Sequence, residues 1–261
     1  MSNDPTKTAV PAQTFASSDG QAIVWREVGE GRPVVLLHGL FSDAVTNWIR
    51  FGTAATIAAA GFRVIMPDFR AHGLSAKPHD AAAYPVDVLS RDVEALVAHL
   101  GLTDFDLGGY SLGSRTAVRL LVRGMRPRRV VLAGMGLAGL IESNRRTGWF
   151  LNVIAEPDSF ARGTPGWLAV QFMKTNKIDG EAVSHLLRAQ AETTIEAIRA
   201  LATPSLVVCG AADQDNGSAP DLAAALPNAH YVEIPGTHMS SVTMPNLGAA
   251  IAAFLAQESP A

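Results

Sequence analysis

Three residues in this chain are of the types that carry out acyl transfer together: a serine between glycines, a carboxylate and a histidine. Each follows an apolar run. Ser111 stands in Gly109-Tyr110-Ser111-Leu112-Gly113, after Phe105-Asp106-Leu107-Gly108 and before the helix-like run Arg115-Thr116-Ala117-Val118-Arg119-Leu120-Leu121. This pattern predicts a serine on a strand–turn–helix corner. Flanking glycines suit such a corner, because other backbone crowds close and would resist a Cβ. The turn exposes the hydroxyl, and the helix start offers unbonded N–H groups beside it. A serine hydroxyl is a weak nucleophile until a base takes its proton, and that base works best when a third group orients it.

Among the seven histidines, His238 has the right setting. It lies in Pro235-Gly236-Thr237-His238-Met239, after the last strand-like run and before the final helical one. The acid should sit on another loop between the two. Asp213, in Gly210-Ala211-Ala212-Asp213-Gln214-Asp215, directly follows an apolar run, with Asp215 as the reserve. The loop Gly134-Met135-Gly136-Leu137 holds no carboxylate. Acyl transfer also needs two N–H groups aimed at the developing oxyanion. Leu112, next to the serine, should supply one. Leu40, in the turn His38-Gly39-Leu40-Phe41, should supply the other, and His38 then reads as a brace of that turn.

The elements needed to position these residues are legible. Strand-like runs occur at 22–28, 33–37, 62–66, 105–108, 129–133, 206–209 and 229–234. Pro33-Val34-Val35-Leu36-Leu37 is apolar throughout, as a strand buried on both faces would be. Helical patterns intervene at 53–60, 86–100, 114–122, 221–226 and 246–256. This alternation predicts an α/β fold with a mainly parallel sheet covered on both sides. From 137 to 203 there is no strand pattern. That segment carries Trp149, Phe150, Phe160, Trp167, Phe172 and Met173, and a helical pattern from Glu181 to Ala202. The expected organisation is a core of residues 1–136 and 204–261, with 137–203 a helical cap over the carboxyl ends of the strands, where open α/β sheets place ligands. Phe41, Tyr110 and Trp48 are the candidate substrate-binding residues; Trp48 would serve equally as an anchor for the first helix.

The pieces His38 to Phe41, Asp68-Phe69-Arg70-Ala71-His72-Gly73-Leu74-Ser75, Gly109 to Gly113, Gly210 to Asp213 and Gly236 to His238 resemble, in order and over most of the chain, the capped serine hydrolases of the α/β-hydrolase superfamily. The likeness is greatest to its carboxylesterase and haloperoxidase branches. Ala71 departs from the glycine usual at its place. The resemblance implies that the Asp68 to Ser75 turn is structural, that no metal or organic cofactor is used, and that Ser111 separates the chain from relatives with an aspartate nucleophile. It implies cleavage of a small, moderately apolar carboxylic ester through an acyl-enzyme. A carbon–carbon bond hydrolase or lyase on a carboxylate-bearing substrate is the alternative. A similar S-x-G-x-R spacing in one lyase of the superfamily puts a carboxylate-binding arginine where Arg115 stands. Arg115, Arg119 and Arg123 also recur at a spacing of four, as in a solvated, ion-paired helix face. A non-catalytic ligand-binding member of the fold is the third reading.

Composition narrows the partners. The chain has 261 residues, 48% hydrophobic and 17% charged, with a formal net charge of −3. That profile supports a sizeable core and gives no electrostatic footprint for nucleic acid or an anionic membrane. The single cysteine, Cys209, excludes an intrachain disulfide and a CxxC zinc site, and reads as a buried strand thiol. No G-x-G-x-x-G or Walker loop is present. Met1 to Lys7 lacks the apolar stretch of a signal peptide and reads as a disordered lead-in, and no run is long enough to span a bilayer. The expectation is a cytoplasmic protein acting on a small molecule.

Overall fold

β3 (Arg32–Leu37) sends Val34 and Leu36 into one apolar core and Val35 and Leu37 into another, all four fully buried. Side chains alternate across a strand, so a continuous apolar run requires cover on both faces. The computed structural model, which describes residues 10–257, shows how that cover is arranged. The reading of Met1 to Lys7 as a lead-in lies outside the described residues.

In chain order the strands are β1 (Gln13–Ala16), β2 (Ala22–Val28), β3, β4 (Phe62–Pro67), β5 (Asp106–Tyr110), β6 (Val130–Ala133), β7 (Ser205–Gly210) and β8 (Ala229–Ile234). They form one sheet in the order β1-β2-β4-β3-β5-β6-β7-β8. β2 runs antiparallel to both β1 and β4, and all other neighbours are parallel. α1 (Thr53–Ala59) and α10 (Pro245–Leu255) cover the face of Val34, burying Ala54, Ile57, Leu247 and Ile251. On the opposite face, α2 (Val88–His99), α3 (Leu112–Val122) and α9 (Ala219–Ala225) bury Val93, Leu96, Val118, Leu120 and Leu222.

Between β6 and β7 the described residues form no strand. They form α4 (Ala138–Ile141), α5 (Ser143–Ala155), α6 (Pro165–Thr175), α7 (Gly180–Arg188) and α8 (Ile195–Arg199). Leu140, Ala182, Val183, Leu186, Leu187 and Ile198 from these helices pack into the core on the α3 face.

One expectation needs correction. The helical pattern from Glu181 to Ala202 is two helices, not one. Thr194 Oγ1 accepts from the Ala197 N–H and starts α8, while the Thr193 N–H donates to the Leu140 carbonyl. An N-cap of this kind ends one helical phase and begins another. β1 has four residues and buries only Phe15, too few for a period-two pattern to mark it in the sequence.

Register sets the site. Leu37 pairs with Gly109, Tyr110 with Ala133, Ala133 with Val208, and Gly210 with Ile234. The carboxyl ends of β3, β5, β6, β7 and β8 therefore share one edge, and the loops beginning at 38, 111, 134, 211 and 235 emerge side by side.

Candidate active site

Ser111 joins β5 to α3 with φ 53° and ψ −109°. A residue with a Cβ held there costs of order 1–3 kcal/mol, so its surroundings must fix it. The Ser111 N–H donates to the Ala133 carbonyl at 2.9 Å. Ser114 Oγ lies 2.8 Å from the carbonyls of both Gly109 and Ala133. The glycines permit the close approach: a Cβ on Gly109 would strike the Gly113 backbone, and one on Gly113 the Leu37 carbonyl.

The turn after β3 lies against this corner. Within residues 39–42, three N–H groups are occupied. Gly39 donates to Asn47 Oδ1 at 2.9 Å, Phe41 to His72 Nε2 at 3.1 Å and Ser42 to the Gly39 carbonyl at 3.3 Å. Leu40 is left with an N–H that has no acceptor among the described residues, and so is Leu112 at the start of α3. His38 and His72 brace this region as neutral rings. His38 Nε2 accepts from the Phe69 N–H at 2.9 Å, and burial holds its pKa below the usual imidazole range. Burial and the neighbouring His38 push His72 down to about 3. Asp68 accepts from the Ala44 and Leu74 N–H groups and from Arg26, tying the Asp68 to Ser75 turn to the sheet.

On the neighbouring loops, His238 Nδ1 lies 2.8 Å from Asp213 Oδ2, and both side chains are nearly buried. A carboxylate oxygen only accepts, so Nδ1 carries the proton and neutral His238 presents the lone pair of Nε2. The same Oδ2 accepts from Cys209 Sγ at 3.3 Å, and Oδ1 accepts from the Asp215 N–H at 3.0 Å. Burial alone would raise the Asp213 pKa, but the His238 bond and charge, with the Asp215 and Cys209 bonds, outweigh it and hold the carboxyl below its usual range. Asp215 faces elsewhere: its Oδ2 pairs with Arg146 of α5 at 3.0 Å. No hydrogen bond joins Ser111 Oγ to His238 among the described residues. Such bonds often tighten only when substrate is bound.

A cavity of about 20 Å³ opens beside Ser111, lined by Leu40, Leu112, Arg115, Arg146, Thr147, Phe150 and Leu187. None of the three expected substrate-binding residues lines it. Trp48 is fully buried among Val34, Leu36 and Leu247, so of its two readings the anchoring one fits the structure. Tyr110 turns its ring toward His238, at 5.3 Å between centroids. Phe41 stands behind Phe150, edge to face at 5.4 Å. The arginine stripe also divides. Arg119 pairs with Asp87 and Arg123 with Glu94, but Arg115 is 6% exposed and has no ion pair or side-chain hydrogen bond among the described residues.

Among the described residues no group of three or more His, Cys, Asp or Glu side chains is placed to hold a metal ion, and no helix is long and apolar enough to cross a membrane. The sequence signature of the alpha/beta hydrolase fold matches residues 32–168, more than half of the chain. The chain belongs to the α/β-hydrolase family. Bromoperoxidase from Bacillus anthracis has the same fold as this α/β-hydrolase, with a TM-score of 0.74 and 22% identity over 95% of this chain and 100% of that one. The acetyltransferase component of the acetoin cleaving system of Pseudomonas putida is 40% identical over 136 residues, 51% of this chain and 35% of that protein. The non-heme haloperoxidase of Rhodococcus erythropolis is 36% identical over 109 residues, 41% of this chain and 37% of that protein. The matches to the acetyltransferase component and the haloperoxidase thus span little more than a third of those two proteins' lengths.

Sequence reasoning missed Arg146, Thr147 and Leu187 as cavity residues of this α/β-hydrolase. They come from α5 and α7, in the segment expected over the strand ends, but no local pattern announces which of its side chains face Ser111. Phe150 carried a partial signal, as one of the aromatic residues that crowd the segment between β6 and β7.

Proposed function

We propose that this α/β-hydrolase is a serine hydrolase that cleaves a small carboxylic ester by acyl transfer. The reading rests chiefly on the buried Asp213–His238 pair, held at 2.8 Å on the strand edge that also carries the strained Ser111. His238 Nε2 takes the Ser111 proton as Oγ attacks the carbonyl carbon. The Leu40 and Leu112 N–H groups hold the resulting oxyanion; one such donor is worth about 3 kcal/mol in the transition state. The tetrahedral species collapses, the alcohol leaves with the proton from His238, and an acyl-enzyme remains. Water, deprotonated by His238, then attacks the acyl carbon and releases the acid. Asp213 fixes the imidazole tautomer and stabilises its charged form. Residues 137–203, which contain helices α4 to α8, act as a cap. The cavity has room for about one water, so the cap must move to admit an ester.

Reaction with a fluorophosphonate probe, followed by turnover of p-nitrophenyl acetate and butyrate, tests this reading. Labelling and turnover should both occur, and both should vanish in Ser111→Ala. A protein that neither labels nor turns over esters is a ligand-binding member of the fold. The second reading, carbon–carbon bond hydrolysis by the same residues, is favoured by one observation, the buried cation Arg115 beside Ser111. Turnover of a vinylogous diketone without any ester hydrolysis would establish it.

A further inference from the structure

Arg146 of α5 is part of the cavity wall beside Ser111, yet its hydrogen bonds go to the loop after β7. Its guanidinium donates to the Asp215 carbonyl and, at 3.0 Å, to Asp215 Oδ2. The Asp215 N–H in turn donates to Asp213 Oδ1 at 3.0 Å, and Asp213 Oδ2 accepts from His238 Nδ1 at 2.8 Å. Arg146, Asp215, Asp213 and His238 thus run in series from α5 to the base. The next part of the loop is fixed by backbone. The Asn216 carbonyl accepts from the Gly139 N–H at 2.8 Å, and the Ser218 carbonyl from the Leu137 N–H at 3.0 Å. Asp215 stands between that fixed part and Asp213.

Phe150 lies one turn further along α5 and lines the same cavity. The Arg146 guanidinium sits 5.2 Å from the centre of its ring, and the ring meets Phe41 edge to face at 5.4 Å. Phe41 follows Leu40 and is held at φ 60°, a conformation that a residue with a Cβ keeps only where its surroundings fix it. One helix therefore touches the acid loop through Arg146 and the oxyanion turn through Phe150. α7, which contributes Leu187 to the cavity, buries Ala182, Val183 and Leu186 fully in the core. α5 is the less anchored wall. The cavity has room for about one water, so admitting an ester displaces that wall. A guanidinium held by two bonds to one residue cannot move with α5 without losing them. Lids commonly complete a catalytic arrangement as they close.

We propose that Arg146 is a positioning residue for acyl transfer: through Asp215 it couples closure of α5 to Asp213, so that the Asp213–His238 pair is held firmly only when the cap has closed over a substrate that fits. The inference rests on the serine hydrolase reading above and adds the regulation of that site. It also sets a preference. Esters short enough to let α5 return are turned over with the pair held, and longer ones with the pair slack. The Arg146–Asp215 pair adds little to stability, because the Asp215 side chain is 48% exposed. Its loss should cost activity without lowering the unfolding temperature.

Arg146→Met removes both bonds and keeps an apolar stem beside Phe150. Arg146→Lys keeps a charge that can reach the Asp215 carbonyl. On p-nitrophenyl acetate, Arg146→Met should lower kcat about fivefold, the worth of one buried hydrogen bond, with KM unchanged. Arg146→Lys should recover part of that loss. On p-nitrophenyl laurate, which holds the cap open, Arg146→Met and the unsubstituted protein should have equal kcat. Asp215→Asn keeps the carbonyl contact, so it should cost less than Arg146→Met and add nothing to it. A spectroscopic readout needs no substrate. In protein labelled with ¹⁵N-histidine, the His238 Nδ1–H proton is shifted downfield by Asp213 and is assigned by its loss in His238→Gln. It should exchange faster with solvent in Arg146→Met.

An unchanged kcat on acetate overturns the proposal, as does an unchanged His238 proton. A loss of equal size on both esters, one confined to KM, or one that tracks a lower unfolding temperature also overturns it and leaves Arg146 a wall residue. If Arg146→Met does not fold, Arg146→Lys and Asp215→Asn decide: an acetate-to-laurate ratio equal to that of the unsubstituted protein in both overturns it. A protein that turns over neither ester and is not labelled by the fluorophosphonate sinks the hydrolase reading. The His238 proton then still decides whether Arg146 holds the pair.

Discussion

The Tyr110 hydroxyl donates to the backbone carbonyl of His238 at 2.6 Å. A phenol has one proton, so Ser241 Oγ, at 2.8 Å, must donate to the Tyr110 oxygen. Tyr110, the residue before Ser111, thus holds the loop that carries His238, at its backbone as well as against its ring. Burial raises the Tyr110 pKa well above the usual phenol range, so the proton stays in place across working pH.

Tyr110→Phe should therefore loosen His238 without touching substrate. Losing one buried hydrogen bond costs about 1 kcal/mol, or roughly five- to tenfold in rate if it all falls on His238 positioning. The drop should appear in kcat rather than KM, measured on a p-nitrophenyl ester. Ser241→Ala leaves the bond to the His238 carbonyl intact and should do less. Equal losses from the two variants would show that the Ser241 link, not the His238 link, matters.

The two candidate acids should separate by kinetics. Asp213→Asn places an amide beside His238 and favours the wrong tautomer, a change worth on the order of 10⁴ in kcat in the serine protease triad. Asp215→Asn leaves His238 alone and weakens only the clamp on Arg146, half-exposed at Asp215, so it should cost less than tenfold. The folded Asp213 pKa is depressed, so its contribution to stability is fully present above the unfolded value, near 3.8, and is lost as pH falls through the lower folded value. Urea unfolding from pH 6 down to pH 3 should show a smaller acid loss in Asp213→Asn than in the unsubstituted protein.

A second pH effect lies between the loop after β4 and the start of α7. His79 Nε2 sits 2.8 Å from Asp179 Oδ2, and Nδ1 sits 3.1 Å from Glu181 Oε2. The bond to Asp179, with the charges of both carboxylates, raises the His79 pKa above 6.5. A raised folded value means that the contact is at full strength below pH 6.5 and is lost as pH rises through the higher folded value. Hydrogen exchange at the start of α7, corrected for intrinsic rates, should lose protection from pH 6 to pH 9, and His79→Gln should remove that trend. Asp179 Oδ1 caps the Ala182 N–H in either state, so α7 itself should persist. Protection independent of pH would exclude this link.

Gly113→Ala tests the packing of the corner. Its Cβ would meet the Leu37 carbonyl, a backbone atom in the centre of the sheet that cannot swing aside. Overpacking typically costs about 1–3 kcal/mol. Thermal unfolding should show that loss together with reduced fluorophosphonate labelling of Ser111, because the collision pries α3 from β3. Ala71→Gly should be close to neutral. Relief of a left-handed conformation, φ 69°, is worth roughly 1–2 kcal/mol and is offset by a lost buried methyl and a freer unfolded chain.

What the sequence determined by itself was the local order of the chain and the residues that stand at strand ends. Apolar runs set by period, and glycines demanded by close backbone contact, are local properties, so Ser111, Asp213, His238 and the Leu40 turn could be named before any contact was seen. The sheet register then brought the loops of β3, β5, β7 and β8 to one edge. The tertiary structure alone decided which neighbours each side chain keeps. Tyr110 and Trp48 looked like pocket residues by proximity in sequence, yet one braces His238 and the other fills the core. Arg115 looked like a third member of an ion-paired stripe, yet it is the one denied a carboxylate. Spacing on a helix fixes which side chains share a face. It does not fix what that face meets, and here α5 and α7 turned a face read as solvated into the wall of the site.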